Sequence, residues 1–308
     1  MPVWAVTGGS GFLGRHLLAR LGAASPRGPE VIALGRTCPV GWPASRFRAA
    51  DLDDPGRLGR TLSDIRPQVV FHLAGRTPPG SPSDFYRTNT LAAIHLLDAL
   101  KEVGAAVRVV LAGSAAELGP VPVEALPVGE DYPCRPTDPY GLSKYLATSA
   151  ALVARPPLDV VVARVFNPIG PGMPPSQALG RFASALADGA GPIRLAVGDL
   201  EARRDFVDAR DVAGALLALA GSGEGGWVYH VGTGRSHGVR EGLDRLIEWS
   251  GREVSVEPDP ALAAARGPAD SRADVRRLFE ATGWSARITW DDSLRDLWGW
   301  AKGRVGSG

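Results

Sequence analysis

A strand that runs straight into a glycine-rich turn constrains this chain more than anything else in it. Val3 to Val6 is apolar, Thr7-Gly8-Gly9-Ser10-Gly11-Phe12-Leu13-Gly14 follows at once, and a helix is expected from Phe12 to Leu21. A turn of this kind leaves backbone N–H groups pointing outward, and the helix N-terminus adds partial positive charge. Both suit a diphosphate. Gly8 allows the tight turn, Gly11 allows close backbone approach, and Gly14 lets the helix lie against the sheet. The spacing is GxxGxxG, one residue wider at the first step than the GxGxxG fingerprint. Gly8, Gly11, Phe12, Leu13 and Gly14 are therefore candidate contacts for a dinucleotide.

The rest of the first half repeats the theme. Strands are expected at Val31–Leu34, Val69–Leu73, Val107–Ala112 and Val160–Val165, and helices at Pro55–Leu62, Phe85–Val103 and Tyr140–Ala154. The strands are almost wholly apolar rather than alternating, as when helices cover both faces of a parallel sheet. The fold class predicted is α/β, a doubly wound parallel-sheet Rossmann domain. After Asn167 the texture changes: Pro168 to Pro175 reads as an irregular bend, and short helices mix with isolated strands such as Trp227–Val231. We expect a dinucleotide-binding domain over 1–166 and a smaller C-terminal α/β substrate-binding lobe over 167–308, with segments around 203–233 returning to the main domain. Residues 303–308 are expected to fray.

Bulk properties mainly exclude. The 308 residues carry a net charge of +1, so nothing draws the chain to nucleic acid or membrane surfaces in general. An anionic substrate must then be held by locally placed arginines. No apolar run approaches the roughly 20 residues that span a bilayer, and a strand beginning almost at once leaves no room for a signal peptide. Cys38 and Cys134 are the only thiols and have no ligand-like spacing, which fits a reduced, cytoplasmic setting while leaving one bridge open.

Two further places carry chemistry. The second strand ends in Leu34-Gly35-Arg36, where an acidic residue would accept from a ribose 2′-OH and an arginine accommodates a 2′-phosphate. Arg36 therefore favours NADP(H), with NAD(H) possible. Asp51-Leu52 follows the next strand, where Asp51 is equally suited to the adenine edge or to capping a turn. Downstream, Asp138 and Pro139 make a good helix start, which puts Tyr140 and Lys144 at i and i+4 on one face. A free phenol has a pKa near 10. A neighbouring ammonium, with a nicotinamidium when the cofactor is oxidised, favours the phenolate and is expected to lower that value, so that Tyr140 exchanges protons usefully. Ser114, just beyond the strand Val107–Ala112, lies at the carboxyl edge of the sheet, where its hydroxyl can hold the oxygen that Tyr140 protonates. Ser114, Tyr140 and Lys144 are the candidate catalytic residues, and a nicotinamide cofactor supplies the hydride.

These residues carry a resemblance. With His72-Leu73-Ala74, Asn89, Tyr140-Gly141-Leu142-Ser143-Lys144, Asn167, and Gly283-Trp284 with Leu294 and Trp298, the chain resembles the extended short-chain dehydrogenases that modify nucleotide sugars. Arg164 to Gly172 and Gly198 to Val212 are similar to the branch handling GDP-6-deoxy-hexoses. The resemblance implies cofactor contacts by Leu73, Ala74, Tyr140 and Lys144, and a homodimer joined through the helices Phe85–Val103 and Tyr140–Ala154. It also implies a nucleotide-diphosphate sugar near Asn167, its diphosphate on Arg204. Arg181 is a candidate for the nucleotide end or for a solvated helix face.

The reaction is narrowed by a departure. Sugar 4,6-dehydratases of this family place an acidic residue one or two positions after the Ser/Thr. Here Ala115 and Ala116 stand there and Glu117 comes a step later, which turns its side chain another way and disfavours dehydration. The expected activity is reduction of the C4 keto group of a nucleotide-linked 4-keto-6-deoxy-hexose, as in GDP-4-keto-6-deoxy-mannose reductases. A nucleotide-sugar 4-epimerase holding NAD tightly is the alternative. A regulatory protein that only senses NADP(H) would typically lack the tyrosine or the lysine, and both are present.

Overall fold

Strands whose residues are apolar on both sides have to be covered on both sides, and that requirement organises the molecule. The computed structural model describes residues 1–23, 28–104, 106–154, 156–263 and 268–305. In chain order the first elements are β1 (Val3–Thr7), α1 (Phe12–Gly22), β2 (Glu30–Gly35), β3 (Phe47–Ala49), α2 (Pro55–Ile65), β4 (Val69–His72) and α3 (Pro82–Phe85). Then come α4 (Ala92–Glu102), β5 (Arg108–Ser114), α5 (Pro139–Val153), β6 (Asp159–Val165) and β7 (Asn167–Ile169). The last part holds α6 (Ala178–Ala187), β8 (Ile193–Val197), β9 (Arg203–Arg204), β10 (Phe206–Asp208), α7 (Ala209–Ser222) and β11 (Val228–Val231). It ends with β12 (His237–Gly238), α8 (Val239–Ser250), β13 (Val254–Pro258), α9 (Pro260–Ala263), α10 (Arg276–Thr282) and α11 (Trp290–Val305).

Seven parallel strands form one sheet in the order β11-β6-β5-β4-β1-β2-β3. The order reverses between β1 and β4, which opens a crevice at their carboxyl ends. Successive strand residues face opposite ways. Ala5, Ile32, Val109 and Val160 bury against α2, α4 and α5, while Val6, Val31, Val110 and Val161 bury against α1, α7 and α10. A third core gathers Phe182, Leu243, Leu294 and Trp298 from α6, α8 and α11, and Phe12 at the head of α1 packs against it.

Differences from the sequence reading have local causes. The expected helix Phe85–Val103 is three pieces: α3, a π-helical turn over Tyr86–Leu91, and α4. Trp227–Val231 is not isolated, because β11 pairs with β6 as the seventh strand. Within the expected bend, Asn167–Ile169 is a strand paired with β10. The tail expected to fray continues as helix α11 to Val305, and 306–308 lie outside the described residues. Neither Cys38 nor Cys134 is in a disulfide. Among the described residues no helix is long and apolar enough to cross a membrane.

Candidate active site

The glycine turn is held by a crossing between β1 and β4. Gly8 adopts φ +72°, and a β-carbon there would sit 2.5 Å from the Ala74 nitrogen. At Gly14 a β-carbon would fall within the contact radius of the Gly8 carbonyl oxygen. Thr7 ties the two strand ends together: its Oγ1 lies 2.8 Å from Nδ1 of His72 and accepts from the Ala74 N–H at 3.3 Å. Leu73 packs beside them. Helix α1 starts at Gly11 with no side-chain cap and no acidic residue in its first turn. Its N-terminal N–H groups and dipole thus face the crevice without an internal anion, and Phe12 and Leu13 form its first turn. These residues fit the diphosphate of a dinucleotide.

At the ends of the neighbouring strands, Arg36 is exposed just after β2. The Asp51 side chain accepts from the Asp53 N–H at 3.1 Å, a turn-forming bond, and the Leu52 carbonyl lies 2.7 Å from Nδ1 of His95. Of the two roles open to Asp51, the turn is the one its hydrogen bond serves.

On the other side of the crevice, Ser114 is the last residue of β5 rather than a residue beyond it. Asp138 caps α5 by accepting from the Gly141 N–H at 2.9 Å, and Pro139 takes the first helical position. This start aims Tyr140 at the strand end, where its hydroxyl donates to Ser114 Oγ at 3.4 Å. Lys144, one turn later, donates from Nζ to the Ala112 carbonyl at 2.6 Å. The three candidate catalytic side chains converge at the mouth of the sheet.

Their electrostatics correct one expectation. The Tyr140 phenol is not lowered but raised above its ordinary value. Burial is the main cause; the Ser114 hydrogen bond opposes it, and the Glu117 and Asp138 carboxylates add to it. The Lys144 ammonium is lowered, again mainly by burial. The ammonium is committed to the Ala112 carbonyl, and desolvation of the phenol dominates.

Several participants were not legible beforehand. Glu117 is fully buried and accepts from the Ser114 N–H at 2.7 Å, from Thr148 Oγ1 at 3.1 Å and from Arg164 Nε at 3.0 Å. Its carboxylate points inward, toward α5 and β6. The π-helical turn before α4 aims Asn89 at α5: its Nδ2 donates to Ser143 Oγ at 2.8 Å and to the Arg76 carbonyl at 3.1 Å, and its Oδ1 accepts from the Arg76 N–H at 2.7 Å. A π turn beside a functional site recurs in proteins. Glu117, Asn89 and Arg164 stand plainly in the sequence, but no spacing rule indicates which partners they find.

The sequence model of the NAD dependent epimerase/dehydratase family matches residues 4–232. This chain belongs to that family. A GDP-6-deoxy-D-mannose reductase from Pseudomonas aeruginosa is 36% identical over 301 residues, covering 95% of this chain and 94% of that protein. A dTDP-6-deoxy-L-talose 4-dehydrogenase (NAD(P)(+)) from Kitasatospora kifunensis is 34% identical over 303 residues, covering 96% and 94%. UDP-glucose 4-epimerases match at 26–30% identity. Among solved structures, RMD from Pseudomonas aeruginosa complexed with NADPH superposes with a TM-score of 0.83 at 33% identity, covering 99% of this chain and 100% of that one.

In this family member the candidate substrate residues sit on three elements, β7, α6 and β9. Asn167 opens β7, half-buried, with its Nδ2 donating to the Asp205 carbonyl at 3.3 Å. Arg204 donates to the Arg203 and Pro268 carbonyls at 2.8 and 2.6 Å, and burial lowers its pKa. Arg181 on α6 lies over the Phe182 ring, and its Nε is buried without a hydrogen-bond partner. Asp205, fully buried, accepts from Thr233 N, Thr233 Oγ1, Gly234 N and Ala273 N. It thereby fixes the segment that carries Arg204. Two contacts join α1 to the bend: Arg15 donates to the Gly172 carbonyl at 3.1 Å, and His16 Nε2 lies 2.9 Å from the Pro171 carbonyl.

Proposed function

We propose that this chain reduces the C4 keto group of a nucleotide-linked 4-keto-6-deoxy-hexose, using NADP(H) with NAD(H) as a possible substitute. The observation that carries the reading is the convergence of Tyr140, Ser114 and Lys144 beside an uncapped, glycine-cradled helix N-terminus. The relatives that reduce or dehydrogenate 6-deoxy sugar nucleotides match at 36% and 34% identity, above the 26–30% of the 4-epimerases, which supports the reductase over the epimerase.

In this reading Gly8, Gly11, Phe12, Leu13 and Gly14 hold the diphosphate of the cofactor. Arg36 meets a 2′-phosphate, and Leu73, Ala74 and Lys144 hold the nicotinamide end. The bound nicotinamide supplies a hydride to C4. Ser114 accepts from Tyr140 and keeps its own hydroxyl proton for the C4 oxygen. Tyr140 gives its proton to that oxygen as the alcohol forms. A phenol whose pKa is raised stays protonated through neutrality, as a proton donor in the reductive direction requires. Arg204 takes the sugar nucleotide's diphosphate, Asn167 lies near the sugar, and Arg181 serves the nucleotide end.

The same reading divides the chain at residue 166 into a dinucleotide-binding domain and a substrate-binding lobe. It makes the protein a cytoplasmic homodimer that pairs through the helices spanning Phe85–Val103 and Tyr140–Ala154. Leu91, Leu142 and Leu146 remain exposed on those helices, an apolar surface that supports pairing.

The test is a panel of GDP-, dTDP- and UDP-linked 4-keto-6-deoxy-hexoses with NADPH and NADH, following cofactor oxidation. Turnover with the GDP sugar and NADPH is expected, and Tyr140→Phe should lose about 10²–10⁴-fold. Phe at 140 retaining more than about a hundredth of wild-type turnover would overturn the proton-donor assignment. Tightly retained NAD with sugar turnover in the absence of added reductant would replace the reductase by the 4-epimerase.

A further inference from the structure

We infer that Glu117 and Arg164 form a buried ion pair that positions the catalytic strand end against the catalytic helix, with Glu117 acting as a positioning residue for Ser114 and Tyr140. The inference deepens the reading above and rests on it for its turnover arm only.

The geometry is specific. Glu117 is fully buried and Arg164 is 2% exposed, yet the carboxylate has no unmet capacity. Its Oε1 takes the Ser114 N–H at 2.7 Å and the Thr148 hydroxyl at 3.1 Å; its Oε2 takes the Arg164 Nε–H at 3.0 Å, with a terminal guanidinium nitrogen in ion-pair contact at 3.0 Å. Those donors come from three elements: the end of β5, helix α5, and β6. Thr148 lies two turns after Tyr140 and one after Lys144, so all three share a helix face. One carboxylate therefore fixes the backbone at Ser114 and the rotation of the helix that presents Tyr140. Gly113 makes room for it, since a β-carbon there would sit 2.7 Å from Glu117 Oε1.

Arg164 is held in turn. Its guanidinium donates to Cys134 Sγ at 3.2 Å and meets His230 Nε2 at 3.2 Å. Arginine only donates, so Nε2 accepts and Nδ1 carries the proton, which it gives to the Val128 carbonyl at 3.1 Å. A neutral imidazole follows, and burial does hold the His230 pKa down to about 3. A buried ion pair tied on both sides into neighbouring elements is costly to break from one side.

The pair also sets charge near the reacting proton. Several groups face Tyr140 and Lys144: Glu117 from the turn after β5, Asp138 and the two residues themselves on α5, His72 from β4, and the apolar Phe85 ring from α3. Arg164 from β6 stands behind Glu117. The Glu117 carboxylate raises both the Tyr140 phenol and the Lys144 ammonium. Removing its charge and leaving Arg164 cationic must lower both. Tyr140 would then lose its proton at a lower pH.

The experiment uses Glu117→Gln and Thr148→Val in the full chain. NADPH affinity is measured by fluorescence, reduction of GDP-4-keto-6-deoxy-mannose by kcat and KM across pH, and Tyr140 ionisation by NMR of ring-labelled tyrosine assigned with Tyr140→Phe. Glu117→Gln should bind NADPH within about twofold of wild type and lose on the order of 10²-fold in kcat. Its Tyr140 titration should fall by about one pH unit. Thr148→Val keeps the ion pair, so its titration should not move while kcat falls several-fold. Wild-type kcat with an unmoved titration in Glu117→Gln overturns the inference. If Glu117→Gln does not fold, wild-type kcat in Thr148→Val overturns it. Should the sugar nucleotide not be reduced at all, the function reading fails, and the titration still decides this one.

Discussion

Gly14 has no room for even a methyl group, because any β-carbon would press on the carbonyl of Gly8 in the turn below. Gly14→Ala must push α1 off the turn or open the turn itself. We expect a destabilisation of about 1–3 kcal/mol by urea titration, as for overpacking elsewhere, together with weakened NADPH binding. Unchanged NADPH affinity would show that the cradle tolerates the shift. Arg36 makes a different kind of prediction, because it is exposed and no packing depends on it. Arg36→Asp offers a carboxylate to a ribose 2′-OH and repels a 2′-phosphate. The ratio of kcat/KM for NADPH over NADH should fall by at least about tenfold, roughly one charged hydrogen bond. A ratio that stays put would move the cofactor discrimination elsewhere. Both positions are marked in the sequence itself, since a glycine turn and a strand-end arginine depend on local geometry. Asp51 is less readable: turn and ligand roles ask for the same carboxylate, and the structure shows its turn bond to the Asp53 N–H.

Elements place these residues, and there the sequence was readable in type more than in detail. Asp138 and Pro139 announced the start of α5, and the structure puts the cap where that pair requires. The π-helical turn over Tyr86–Leu91 was invisible, because one extra residue in a helical turn leaves the apolar pattern almost unchanged. That turn aims Asn89 and Thr90 at Ser143, so the helix bearing Tyr140 is anchored from the π-helical turn as well as from Glu117. Asn89→Ala removes three hydrogen bonds and strands the Arg76 backbone groups. One of the three is a buried bond to the Ser143 hydroxyl and two are half-buried bonds to Arg76; at about 0.5–1.5 kcal/mol each the urea midpoint should drop clearly, with kcat falling alongside. A variant as stable as wild type would show that water replaces the amide without loss.

Across the whole molecule, two buried imidazoles link stability to pH. His72, between β1 and β4, and His230, on β11, both have pKa values lowered to about 3 by burial. The unfolded chain titrates them near 6.5. Between those values the unfolded state binds more protons than the folded one, so stability falls as pH drops from about 6.5 toward 3. The urea midpoint should decline between pH 7.5 and 5, and His72→Gln or His230→Gln should each flatten part of that decline. An equal slope in both variants would assign the acid sensitivity to other groups. What the sequence determined alone was whatever depends on neighbours along the chain: the strand–turn–helix cradle, the apolar strands that demand cover on both faces, and the helical spacing of Tyr140 and Lys144. Only the tertiary structure decided which distant groups meet. Burial raised the Tyr140 phenol where the nearby lysine alone argued for lowering it, and Glu117 found Arg164 on the adjacent strand. Solvation and long-range pairing depend on the whole packed interior, which no short stretch of residues encodes.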